Sequence, residues 1–332
     1  MDTLLPHIID AARYAPSPHN TQPWTFQPLD NGLDFYVNEQ RLLAVADPQA
    51  HDTLHAFGTL LENSLLTLAH LGYTANYQLS RSMDWKLPII QLRWQPLKST
   101  CSDSHLYRMI PLRRTSRLPY YSEAVAPLLI ETMHGAIGST CKLYTLTNQD
   151  AITEIRSLVA LATESLMTDN NMAEELYRWL RFSPRDPRWF KDGLNAACLG
   201  WKSWESAIAA VALQPSVLNG LKRLGLYQWF FSDINQYAPP APAVCLLTVK
   251  GNETDQRIEA GRNLQRIWLI AASHGFHTHP LSAAIDSDLT RSRVYDLFKV
   301  APGEYPVCLF RLGRSAVPAG SYRLPVDELF RL

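Results

Sequence analysis

The chain has 332 residues, 46% hydrophobic and 19% charged, which fits a soluble globular protein with room for two cores or one large one. Lys plus Arg and Asp plus Glu both number 31, so no global field favours nucleic acid or an anionic membrane, and neither partner is expected. Cys101, Cys141, Cys198, Cys245 and Cys308 are far apart and form no C-x-x-C pair, which predicts reduced, mostly buried thiols. No charged-then-apolar leader opens the chain, and the apolar run 207–213 is too short for a bilayer; a cytoplasmic protein is expected.

The first predicted element is an apolar helix carrying Leu4, Leu5, Ile8, Ile9 and Ala12, halted by Pro16 and Pro18. The turn from Ala15 to Trp24 (APSPHNTQPW) then presents Ser17, Asn20 and Gln22 ahead of a tryptophan. These groups suit the edge and face of an amide-rich planar ligand, or simply a proline-rich helix exit. A strand at 33–37, a core helix over about 55–73 and a strand at 87–94 follow.

The same order returns late in the chain, with a strand at 243–249, a helix over about 260–276 and a strand at 306–313. Aligning Gly72 with Gly275 also pairs Gly58 with Gly261, Leu61 with Leu264, Leu66 with Leu269 and Ala69 with Ala272. The repeat predicts two related α+β halves. Between the copies lies a basic segment, Arg113-Arg114-Thr115-Ser116-Arg117, rich in phosphate-binding groups. In an extended segment Arg113 and Thr115 would oppose Arg114 and Ser116.

The middle, about 163–242, has no counterpart in the first half and holds Trp179, Trp189, Trp201, Trp204 and Trp229. Its periodic parts read as helices around a Pro/Asp/Arg loop, serving as a lid or as a buttress. His277 and His279 have no carboxylate or cysteine at ligand spacing, so no metal is expected. No residue reads as a dedicated nucleophile or acid/base, and no G-x-G-x-x-G joins a strand to a helix.

APS-x-x-N-x-Q-P-W closely resembles the signature of the FMN-dependent nitroreductase superfamily, where the segment crosses a dimer interface to reach the flavin ring. The basic segment resembles the family's R-R-S-x-R, displaced here into the second half. The arrangement is similar to the single-chain, pseudo-dimeric Acg-like branch.

The resemblance implies a nitroreductase-like α+β fold with helices around antiparallel-type mixed sheets. The expected halves are 1–105 and 106–332, the second including the helical insertion. It implies FMN contacts at Pro16, Ser17, Asn20 and Gln22, at Arg113, Arg114 and Ser116, and at Ser321 and Arg323 near the end. Pro280, Leu281, Ser282 and Ala283 correspond to a family segment whose backbone amides approach the ring. Ala283 stands there for a glycine and Ser282 for a frequent acidic residue.

The implied activity moves electrons from NAD(P)H through FMN to a small organic acceptor, with no catalytic side chain. Two alternatives remain: a flavin-sequestering protein with a closed lid, and a specialised dehydrogenase or oxidase of peptide or heterocycle intermediates. An internal pseudo-dimer lets a monomer suffice and leaves a homodimer open.

Overall fold

The computed structural model describes residues 4–97, 104–226 and 239–331. Cys101 and Trp229 fall outside the described residues. The chain opens with α1 (Leu5–Ala12), then β1 (Trp24–Leu29), β2 (Gly32–Val37), α2 (His51–His70), β3 (Tyr73–Leu79) and β4 (Ile90–Pro96). After α3 (Ser104–Met109) and α4 (Pro127–Gly135) comes β5 (Cys141–Leu146). The middle holds α5 (Gln149–Thr168), α6 (Asn170–Trp179), β6 (Leu180–Arg181), β7 (Leu194–Asn195), α7 (Ala196–Leu199), α8 (Ser203–Ala212) and α9 (Pro215–Arg223). The last run is β8 (Ala243–Lys250), α10 (Thr254–Ser273), β9 (His277–Pro280), α11 (Ala283–Asp286), α12 (Asp288–Phe298) and β10 (Glu304–Gly313).

The duplication is visible in the topology. One sheet runs β1-β2-β4-β3 and the other β5-β8-β10-β9, the same order for corresponding strands. Both are antiparallel throughout. Parallel pairing is confined to β6 with β7 and two isolated bridges. The unbroken apolar run of β8 follows from burial on both faces. Ala243, Cys245, Leu247 and Val249 join the core under α10, while Val244 and Leu246 join the core under α5 and α12.

The two halves meet where α2 crosses α10, at the aligned glycines. A Cβ on Gly58 would stand 2.0 Å from the Ile258 carbonyl oxygen, and one on Gly261 would stand 2.0 Å from that of His55. Beside the crossing, Gln265 Nε2 donates to Asn63 Oδ1 (2.7 Å). The buried Glu62 carboxylate meets Arg262 at 3.1 Å and Arg266 at 2.7 Å. Gly72 and Gly275 end the two helices at φ of +82° and +74°, the left-handed conformation that glycine supplies at little steric cost.

Several bounds shift for local reasons. α2 starts at His51, four residues before the periodic pattern, because the Asp47 carboxylate accepts from the amides of Asp52 and Thr53. β4 starts at Ile90 because Leu87 closes a turn onto Asp84. The two-residue turn Asp30–Asn31 between β1 and β2 corresponds to residues 147–242 between β5 and β8. The insertion therefore begins before 163. The first turns of α5 carry Ile152, Ile155 and Val159 into the second core, and only from Thr163 does the helix reach the cavity described below.

The C-terminal tail returns to the first half. Leu324 and Leu329 are buried in its core, and Phe330 bridges Phe26 in parallel. Cys141, Cys198, Cys245 and Cys308 are free and buried. Among the described residues no helix is long and apolar enough to cross a membrane.

The helix crossing can be tested directly. Gly58→Ala and Gly261→Ala each force a methyl into backbone and should lower unfolding free energy by about 3 kcal/mol in urea titrations. Gly220→Ala, in α9 with nothing within 4 Å of its added Cβ, should hold or raise it. Equal, small effects at all three positions would contradict the close approach.

Candidate functional site

A cavity of about 590 Å³ opens between the two halves, a size suited to a cofactor or small ligand. Of the residues named from sequence, Pro16, Ser17, Asn20, Arg113, Arg114, Pro280, Ser282, Ala283, Ser321 and Arg323 line it. Gln22, Ser116 and Leu281 do not.

One end is basic. Arg113 sits at the exit of α3, its amide bonded to Met109 O, and its guanidinium lies 5.7 Å from the Trp268 ring centre. It is 6% exposed, and neither Nε nor Nη1 has a hydrogen-bond partner. Burial, with Arg323 and Arg114 adding, brings it down to about 9.

Arg323 Nη1 donates to Asn20 Oδ1 (3.0 Å) and Nη2 to Tyr14 O (3.2 Å), while Nε is unpartnered. Burial first, then Arg114, brings it down to about 10. Arg114 donates only to the Pro111 and Arg113 carbonyls. No carboxylate pairs with any of the three among the described residues. A buried arginine with free N–H groups and like-charged neighbours is a site built for an anion.

The expected alternation in this segment does not hold. Arg113, Arg114, Thr115 and Arg117 all line the cavity, because strand-like pairing begins only where Thr115 bridges Thr278 and Ser116 N bonds Thr278 O. Ser116 is fully buried, its hydroxyl 2.8 Å from that of Ser315.

In the first turn, His19, Asn20 and Gln22 hold φ of 47°, 55° and 53°. Such strain persists only where the surroundings over-determine it. Here the ties are Gln22 N to Ser17 Oγ (2.9 Å) and Asn20 Nδ2 to the Gly193 and Tyr322 carbonyls. Gln22 bonds Lys191 O and the Leu324 amide, so its side chain fixes the turn instead of facing the cavity.

At the other flank Leu281 points into the second core, and its amide bonds Leu309 O (2.7 Å). Ser282 and Ala283 line the cavity at the start of α11, where amides precede the first hydrogen-bonded turn. His277 and His279 have protein partners, Ser315 Oγ (3.3 Å) and Arg311 Nε (3.0 Å).

Thr163, Leu166 and Met167 of α5, Met172 and Leu176 of α6, and Leu194 form a roof. Two anchors hold it to the first half. Glu175 accepts from the amides of Val45 (3.0 Å) and Ala46 (2.8 Å), and Asp192 pairs with Arg181 and Arg41, each at 2.6 Å. The described tryptophans of the insertion stay off the cavity. Trp201 stacks on Phe182, Trp179 lies under Arg41 and Arg181, and Trp204 is exposed. Apart from Thr163, the roof is aliphatic and thioether.

Sequence reasoning missed the opposite end of the cavity, where Asp47, Asp52, His55 and Asp286 converge. Asp47, Asp52 and His55 fall within nine residues but match no ligand spacing, and Asp286 is remote in sequence. Burial, then Asp52, lifts Asp47 to about 7. Burial, Asp52 and Asp47 raise Asp286 well above the usual carboxyl range. His19, between the ends, is held down to about 4 by burial and Arg117, and is neutral near pH 7. Trp268 and Leu264 of α10 add apolar wall.

No family model matches the chain. It is similar to a Mycobacterium tuberculosis protein assigned by name to the NAD(P)H nitroreductases, 25% identical over 322 residues, 94% of this chain and 85% of that protein. Acg of the same organism is 22% identical over 330 residues, 98% of this chain and 94% of that protein. Among solved structures, a nitroreductase with bound FMN from Desulfitobacterium hafniense aligns at a TM-score of 0.40 and 13% identity, covering 69% of this chain and 98% of its own.

The Asp47 environment sets a pH response. Folding lifts its carboxyl from 3.8 to about 7, so the folded state holds the proton more tightly. That contribution to stability is full below the unfolded value and lost as pH rises through the folded one. Between about pH 5 and about pH 8 the wild-type melting temperature should therefore fall relative to that of Asp47→Asn. Parallel curves in circular-dichroism melts would refute this assignment.

Proposed function

We propose that this chain, which belongs with the Acg-like branch of the nitroreductase superfamily, is an FMN-dependent oxidoreductase with one cofactor site per chain. The observation that carries the reading is Arg113, buried with two unpartnered N–H groups and grouped with Arg114 and Arg323 on one cavity wall. A phosphate monoester answers that constellation, since its oxygens accept charge-assisted bonds from several guanidiniums. The fit is favourable on the chain's own terms, because an anion relieves a charge that burial disfavours.

The other parts follow the same logic. Arg113, Arg114 and Arg323 hold the phosphate, with Ser321 beside them. Pro16, Ser17 and Asn20 border a planar ligand from the first half. The amides of Ser282 and Ala283 offer donors from the second half, and Trp268 supplies a flat wall. The aliphatic roof excludes water from the enclosed face. FMN, when bound, supplies the two-electron chemistry, taking a hydride from NAD(P)H and passing electrons to a small organic acceptor. No lining residue is needed as a nucleophile. Because both halves contribute, a monomer suffices.

A second reading, flavin storage with little turnover, is favoured by the roof anchors at Glu175 and Asp192. Absorbance of purified protein separates the two. Yellow protein that bleaches rapidly on anaerobic addition of NADPH supports the reductase. Yellow protein that bleaches slowly, but faster in Glu175→Gln, supports storage under a closed roof. Arg113→Gln with Arg323→Gln should weaken FMN binding by about 10–100-fold. Riboflavin, which lacks the phosphate, should bind both forms alike. Colourless protein that takes up no FMN overturns the assignment.

A further inference from the structure

The end of the cavity away from the arginines holds charge that a phosphate does not answer. The two ends differ in their charged neighbours, with His19 between them acted on by both Arg117 and Asp52. The charged neighbours that shift Arg113 are Arg323 and Arg114, while those that shift Asp286 are Asp52, Asp47 and Arg291.

Of the three carboxylates, Asp47 is engaged in capping α2. The carboxylate of Asp52, on the first turn of that helix, makes no hydrogen bond among the described residues, and His55 Nδ1 stands 3.6 Å away, beyond hydrogen-bonding distance. The Asp286 carboxylate, at the end of α11, has no hydrogen bond or ion pair among the described residues.

The neighbouring guanidiniums are committed elsewhere. Arg257 donates to Asn252 Oδ1, Pro306 O and His55 Nε2, and Arg291 donates to the Ile285 and Asp286 carbonyls and to Asp288. Among the described residues no guanidinium hydrogen-bonds Asp52 or Asp286, although Arg257 lies within electrostatic reach of the first and Arg291 of the second.

His55 adds a second sign of a missing ligand, since its Nδ1 faces Asp52 at 3.6 Å without reaching hydrogen-bonding distance. It is 5% exposed and lines the cavity. Its Nε2 lies 3.3 Å from Arg257 Nη1, which can only donate, so the proton of the neutral ring sits on Nδ1. Burial keeps the ring below its usual range and hence neutral. That Nδ1–H has no hydrogen-bond partner, and a buried donor left unpaired is costly. Among the described residues no group of three His, Cys, Asp or Glu side chains could hold a metal ion. The fitting partner is an organic cation that also offers an oxygen.

We propose that the substrate carries a protonated amine with an oxygen one or two bonds away, the amine between Asp52 and Asp286 and the oxygen on His55 Nδ1–H. Its apolar body lies under Leu166, Met167 and Met172. Amino alcohols and amino-acid amides have this head group. The word "substrate" rests on the flavin reading above; the binding site does not.

Calorimetry on FMN-supplemented protein tests the site with three probes: 2-amino-3-phenylpropan-1-ol, 3-phenylpropan-1-ol without the amine, and phenethylamine without the oxygen. The amino alcohol should bind at least about tenfold more tightly than either comparator. Asp286→Asn removes a carboxylate that lines the cavity and bonds nothing else among the described residues, and Asp52→Asn is the second variant. Each should abolish most of the preference for the amine. Equal affinity for the two alcohols, no binding of the amino alcohol, or a preference unchanged in both variants overturns the proposal. Absorbance of the same samples keeps the two readings apart. Colourless protein that selects the amine loses only the flavin assignment, and yellow protein indifferent to it loses only this one.

Discussion

The rest of the molecule depends on the contact between Gly58 and Gly261. With no Cβ on either side, α2 and α10 approach until each glycine rests on a carbonyl of the other helix. The contact fixes how the two sheets stand to one another and what each helix gives the cavity. α2 brings Asp52 and His55, and α10 brings Leu264 and Trp268. Glu62 tightens the same interface: a fully buried carboxylate is tolerable there because Arg262 and Arg266 of the other half both reach it. Removing either arginine would leave buried charge undercompensated, which costs far more than the pair contributes when intact.

This contact also explains how much was legible in the sequence. The aligned glycines carried the duplication because each has a backbone task that no other residue performs as well. Gly58 and Gly261 permit the crossing, and Gly72 and Gly275 turn the chain out of the helices. The shared strand order and the return of the tail to Phe26 were not legible. They are non-local pairings that leave no periodic trace.

At the site, most of the side chains named from motif resemblance line the cavity. The exceptions share one cause. Gln22 ties its turn to Lys191 and Leu324, Ser116 ties its segment to Ser315, and Leu281 anchors in the second core. In a segment laid along a cavity wall, some side chains must hold the wall in place. A motif records which residues recur, but not which of these tasks each performs. The acidic end was invisible for a different reason, since Asp47 and Asp52 belong to no motif and Asp286 joins them only after folding.

Fusion accounts for the asymmetry of the whole. In a symmetric dimer every feature occurs twice, so an insertion that roofs one site must roof both. Within one chain the halves are free to diverge. The turn between β1 and β2 remains two residues, while its counterpart between β5 and β8 holds α5 to α9. The APS turn likewise has a short counterpart at 136–140, where the Gly138 amide is taken by Asn263 Oδ1 (2.7 Å). The divergences are complementary. The half that carries the APS turn presents Val45, Ala46 and Arg41 to the roof, and the half that holds the roof supplies Glu175 and Asp192 to meet them. The roof over the cavity is thus held by groups from both halves, a fastening that two identical halves could not divide between them.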